Sequence, residues 1–129
     1  MSLRQLRYAD RRVVEALERL GIHSLWELAV LGLTARDRRR LARRAEVSEG
    51  ELLKLVRIAD MCRVASVELA ELLVESGINT PLELARRRLE HVYEMVTRKA
   101  VELGVEPPPL GKVEEAWRRA VKAPRLVVY

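Results

Sequence analysis

The chain has 129 residues, 49% apolar and 33% charged, which is the composition of one folded domain and not of a disordered segment. The formal net charge is +5, with 20 arginines against 4 lysines, a skew that invites phosphate binding because arginine offers a planar, always-charged fork. No apolar run approaches the roughly 20 residues of a membrane span, MSLRQLRYADRR holds no apolar signal core, and one cysteine excludes an internal disulfide, so a cytoplasmic protein without membrane attachment is expected.

Apolar residues recur at three and four throughout, and the helices follow in order. The first spans about 9–20, with Val13, Leu17 and Leu20 inward, and Gly21 suits its left-handed C-terminal cap. Ser24 with Glu27 forms a capping box that opens a helix at 25–31, and Gly32 is read as a second left-handed cap. Thr34 precedes a helix at 35–45, with Asp37 placed in its first turn to favour the dipole. Ser48 with Glu51 opens 49–63, where Val47 can staple onto Leu52. A helix at 67–76 ends before Gly77, and Thr80, Pro81 and Glu83 open another at 81–87. The run 89–103 stops at Gly104, and Glu106-Pro107-Pro108-Pro109 must be an extended linker. A last helix covers 111–122 with Val113, Trp117 and Val121 on one face, Trp117 pinning it to the body. Pro124 closes it, and Arg125, Leu126, Val127, Val128 and Tyr129 favour an extended tail that docks or pairs. Trp26 is expected in the core or as a lid on the first helices, and Cys62 as a small core or flanking residue rather than a reactive thiol.

Two stretches repeat. VVEALERLGIHSLWELA (13–29) and LAELLVESGINTPLELA (69–85) match at seven of seventeen positions at a shift of 56. The matches are Glu15/Glu71, Leu17/Leu73, Gly21/Gly77, Ile22/Ile78, Glu27/Glu83, Leu28/Leu84 and Ala29/Ala85. Each copy spells helix, glycine turn and capped helix, the half-motif of a helix-hairpin-helix, and duplication of such a unit organises the whole chain. One tandem domain over 1–129 is expected: a first unit at 1–47, a connecting helix at 48–63, a second unit at 64–104, and a linker, helix and tail at 105–129.

LARRAEVSEGELLKLVRIADMCRV (41–64), LAELLVESGINTPLELARR (69–87) and APRLVVY (123–129) carry a resemblance that spans nearly the whole chain. The sequence resembles tandem helix-hairpin-helix proteins and, more narrowly, the family catalogued as domain of unknown function 4332. That resemblance implies an all-α fold, a compact bundle of about eight short helices built from two degenerate helix-hairpin-helix units, similar to the SAM-like helical domains of DNA-repair proteins. It also implies nucleic-acid binding, through glycine-bearing turns whose backbone N–H groups hold a phosphate. The chain departs from the pattern there. Tyr8-Ala9-Asp10 has no glycine and carries an acid, and Val64-Ala65-Ser66-Val67 has no glycine and is two residues short.

The densest feature is the run 36–44, with six arginines against one acid. On a helix, Arg36, Arg40, Arg43 and Arg44 share a face, with Arg39 beside them, while Leu41 and Ala45 turn inward. Like charges so crowded are most simply explained by an anion opposite them. The competing reading is a solvated face balanced by Glu46, Glu49 and Glu51, in a chain whose arginine excess and few Asn and Gln fit a heat-adapted source. Arg7, Arg11, Arg12 and Arg63 flank the two hairpin positions and would contact phosphates beside the turns, and Ser66 adds a hydroxyl. Arg86-Arg87-Arg88 suits the helix dipole alone. His23 and His91 are isolated, and no metal-ligand spacing, nucleophile motif or phosphate loop is present, so neither an enzyme nor a cofactor is expected. The expected function is non-sequence-specific binding of a nucleic-acid backbone, DNA foremost. The alternative is a protein-interaction or assembly module, self-associating through the apolar tail.

Overall fold

A computed structural model describes residues 1–129. Eight α-helices follow one short 3-10 turn at Leu3–Gln5, and no strand is formed. They are α1 (Arg11–Arg19), α2 (Leu25–Leu31), α3 (Ala35–Ala45), α4 (Glu49–Met61), α5 (Val67–Glu75), α6 (Pro81–Arg86), α7 (Leu89–Leu103) and α8 (Leu110–Lys122). No helix is long and apolar enough to cross a membrane.

Side-chain caps set the helix starts. Ser24, Thr34, Ser48 and Thr80 each accept a hydrogen bond from the amide three residues on, at 3.1 Å. The reciprocal half of the predicted box at Thr80 is displaced by one residue, because Glu83 Oε2 accepts from Asn79 N at 3.0 Å. Gly21, Gly77 and Gly104 all take positive φ, as left-handed caps require. Gly32 does not. Its φ is −113°, and glycine is needed there for space: a Cβ would lie 2.9 Å from Val56 Cγ2. The left-handed cap that lacks a glycine is Glu46, at φ 59°, which ends α3.

By packing, the chain divides into two compact units, Met1–Asp60 with Arg125–Tyr129, and Met61–Pro124. In the first, α3 packs on α1 and α2, and Leu3, Leu6, Leu17, Leu25, Leu28, Leu52 and Ile58 fill the core. In the second, α8 lies against α6 and α7, and α5 against α7. Leu73, Ile78, Leu84, Val92 and Val96 are buried there. Trp117 Nε1 donates to Arg87 O at 2.9 Å, joining α8 to the end of α6.

The duplication is visible bond for bond. Ile22 N donates to Leu17 O at 3.0 Å, and Ile78 N to Leu73 O at 2.9 Å. Gly21 N donates to Glu18 O and Gly77 N to Val74 O, at 2.9 and 3.0 Å. The repeated leucines and isoleucines are all buried, so the matched apolar positions fill the space beneath the turn and the matched glycines shape it.

Two apolar residues fall elsewhere than expected. Trp26 is not in the core but 62% exposed, and its counterpart Leu82 is also exposed. The reason is rotational: Leu25, Leu28 and Ala29 take the inner face of α2, which leaves its second residue outside. Val121 is exposed as well, because the small residues Ala116 and Ala120, with Val113, form the inner face of α8.

Candidate nucleic-acid interface

The helix α3 is short on apolar surface and rich in charge. Its buried residues are Arg38, Leu41, Ala42 and Ala45. Arg36, Arg39, Arg40, Arg43 and Arg44 are all exposed. At 3.6 residues per turn the five exposed arginines occupy an arc of about 140° along about 12 Å of helix, opposite a buried arc of about 100°. Arg43 and Arg44 lie in the last turn, where cations favour the helix dipole.

None of these five guanidinium groups forms an ion pair, and Glu46, Glu49 and Glu51 provide no partner for them. The arginines of α7 and α8 behave differently. Arg98 meets Glu94 at 3.0 Å, Arg118 meets Glu114 at 2.7 Å, and Arg119 meets Glu115 at 2.6 Å, each one helical turn away. Arg19, Arg86, Arg88 and Arg125 are likewise without an ion pair. What sets α3 apart is that five unmatched arginines share one face of a single helix.

Arg38 leaves the run and points inward, only 6% exposed. Its Nη1 donates to Gly32 O at 2.8 Å and its Nη2 to Val128 O at 3.0 Å, and its guanidinium lies 5.3 Å from the centre of the Tyr129 ring. Burial lowers its pKa from the usual arginine value, yet an arginine so placed stays charged. The sequence counted it among the six arginines of the run but assigned it to neither face.

The hairpin positions are arranged less favourably for an anion. Asp10 caps α1, its carboxylate accepting from Arg12 N at 2.9 Å, so an acid of the chain itself occupies the helix N-terminus that a phosphate would seek. Arg11 Nη1 reaches Arg4 O at 3.5 Å, Arg12 Nε lies 4.0 Å from Asp10, and Arg7 is exposed. Beside them an open groove of about 480 Å³ is lined by Asp10, Glu15, Glu46 and Glu51 together with Arg12 and Arg19, and four carboxylates make it a poor track for phosphate. In the second unit Ser66 caps α5, accepting from Leu69 N at 3.3 Å, and Arg63 Nη1 donates to Pro124 O at 2.7 Å. The structure thus gathers Arg36, Arg39, Arg40, Arg43 and Arg44 on one helix. It places Arg7, Arg11 and Arg12 elsewhere in that unit, and Arg63 and Ser66 in the other.

No group of three or more His, Cys, Asp or Glu side chains is placed to hold a metal ion. The Cys62 thiol is pushed up to about 12 by burial and by the nearby Glu71 carboxylate, so it is protonated and a poor nucleophile at neutral pH.

What these elements define is an all-α domain of eight helices, one of which presents a cationic face unmatched by carboxylates. The chain belongs to the family described as Domain of unknown function (DUF4332), whose model matches residues 9–121. No curated protein and no solved structure matches it.

Proposed function

We propose that the protein is a non-enzymatic module that binds the sugar-phosphate backbone of nucleic acid, DNA foremost, through the outer arc of α3. The single observation that carries this reading is that Arg36, Arg39, Arg40, Arg43 and Arg44 are exposed, crowded and unmatched by any carboxylate, while arginines on α7 and α8 are matched. Backbone contacts position a protein without reading bases, and this face has only guanidinium groups to offer. Arg7, Arg11, Arg12, Arg63 and Ser66 are secondary contacts at most, since each already makes an interaction within the chain. Fluorescence anisotropy with labelled duplex, branched and single-stranded DNA and with RNA at low salt tests the reading. Binding that vanishes in an Arg39→Glu, Arg40→Glu, Arg43→Glu, Arg44→Glu variant of unchanged melting temperature supports it. The absence of binding to all four probes removes it.

A second reading, a protein-interaction or assembly module, is favoured by one observation: Trp26, Val30 and Leu31 are exposed together on α2. Its original basis, the apolar tail, is weaker, because Val127 is buried against the chain's own first unit. Light scattering over a range of concentrations, on the full chain and on residues 1–123, separates these cases. Concentration-dependent mass in the full chain alone favours tail-driven assembly, and in both forms favours the α2 surface.

A further inference from the structure

The tail, Arg125–Tyr129, packs with the first unit, and its contacts converge on the arginine helix. Val128 N donates to Leu33 O at 2.8 Å, and Leu33 is the residue just before the Thr34 cap of α3. Val128 O accepts from Arg38 Nη2 at 3.0 Å. Both backbone polar groups of one tail residue are therefore committed to the first turn of α3 and its approach. The other arm of Arg38 holds Gly32 O at 2.8 Å, so a single guanidinium ties the end of α2, the start of α3 and the tail together. Tyr129 completes the arrangement. Its ring faces Arg38 at 5.3 Å and Arg57 at 5.8 Å, and its hydroxyl donates to Asp60 Oδ2 at 2.9 Å, which links α3 to α4. Arg57 Nε is buried without a hydrogen-bond acceptor, and the Tyr129 ring is a π face close to its guanidinium.

The helix needs such a fastening. Its inner face offers one leucine and two alanines as apolar surface, little to hold a helix whose outer arc carries five mutually repelling charges. The partners of Arg38 are two carbonyls and an aromatic face, all uncharged. They hold the guanidinium without neutralising it, so the sixth positive charge still adds to the field of α3.

We propose that the tail is a positioning strap for the arginine helix, with Tyr129 and Arg38 as positioning residues that preorganise α3 for its anionic partner. This rests on the nucleic-acid reading of α3. The test compares the intact chain with Tyr129→Ala and Tyr129→Phe in two measurements, hydrogen exchange of the α3 amides and anisotropy of a labelled DNA duplex as a function of salt. Preorganisation lost on Tyr129→Ala should weaken binding by about tenfold and make its salt dependence shallower, while Tyr129→Phe, which keeps the ring over Arg38, should restore most of both. Exchange in α3 should accelerate in Tyr129→Ala while that of α1 stays unchanged. A purely structural role would neither weaken binding nor accelerate exchange selectively in α3, and it would leave the salt slope alone. If Tyr129→Ala does not fold, Val128→Pro, which removes the N–H bonded to Leu33 O and keeps the carbonyl that accepts from Arg38, replaces it. Unchanged binding and slope in the variant overturn the proposal and leave the α3 reading intact. If the intact chain binds no nucleic acid, that reading fails, and exchange alone then decides the strap: selective loosening of α3 upholds it, and unchanged exchange overturns it.

Discussion

The ionic-strength dependence of binding can be worked from the structure. Each phosphate neutralised on B-DNA releases counterions and contributes about −0.9 to the slope of log K against log salt. Five exposed, unmatched arginines on α3 set the upper count of contacts. All five together give a slope of about −4.5, so raising salt from about 50 to 200 mM weakens duplex binding by roughly 500-fold. On a single strand, at about −0.7 per contact, the same change costs roughly 130-fold. The perturbation is a series of single Arg→Gln variants at Arg36, Arg39, Arg40, Arg43 and Arg44, each read by anisotropy at four salt concentrations. Each variant should make the duplex slope shallower by about 0.9. Arg118→Gln on α8 should leave it unchanged, because that guanidinium already sits on Glu114. A slope shallower than about −1 in the intact protein, or an equal effect from Arg118→Gln, would refute the reasoning, since the charge would then act as a diffuse net field rather than through α3.

Other consequences concern stability. Gly32→Ala sets a Cβ 2.9 Å from Val56 Cγ2 and 3.2 Å from Leu28 O. Val56 is fully buried and cannot swing away, so urea unfolding should show a loss of about 1–3 kcal/mol; a neutral result would mean that this corner is looser than the geometry says. Arg38→Met leaves Gly32 O and Val128 O without their donor and should cost about 1–3 kcal/mol, whereas Arg39→Met on the exposed side should stay within about 0.5 kcal/mol. Equal costs for the two would contradict the distinction drawn between them. Ser24→Ala and Thr80→Ala each remove one capping bond and should each lower stability by about 1 kcal/mol, measured by thermal melts. The Cys62 thiol, with an ordinary value of 9.0, is raised to about 12 in the folded chain. The unfolded chain therefore loses its thiol proton first as pH rises. The contribution of Cys62 is whole below about pH 9 and is lost as pH climbs toward 12, at up to about 1.4 kcal/mol per pH unit. Cys62→Ala should flatten the alkaline limb of a urea-midpoint profile, and an unaltered limb would argue against a half-buried thiol held protonated.

Much of the architecture could be read from residue order because it rests on local chemistry. Caps at Ser24, Thr34, Ser48 and Thr80 act on amides three residues away, and the positive φ of Gly21, Gly77 and Gly104 answers a requirement of the backbone itself. Helix bounds and the duplicated turn followed from such short-range rules. Facing and long-range partnership did not. Arg38 and Arg39 are adjacent and chemically identical, yet one is buried among carbonyls and the other lies in solvent. Trp26 turned outward because Leu25 and Leu28 claimed the interior. Gly32 was read as a turn residue, when what constrains it is a valine 24 positions away. The tail met Arg38 and Asp60 across 90 and 69 residues, and no spacing rule reaches that far. Such pairings depend on which surfaces the packed helices bring within a few ångströms, and short-range preferences carry no information about that.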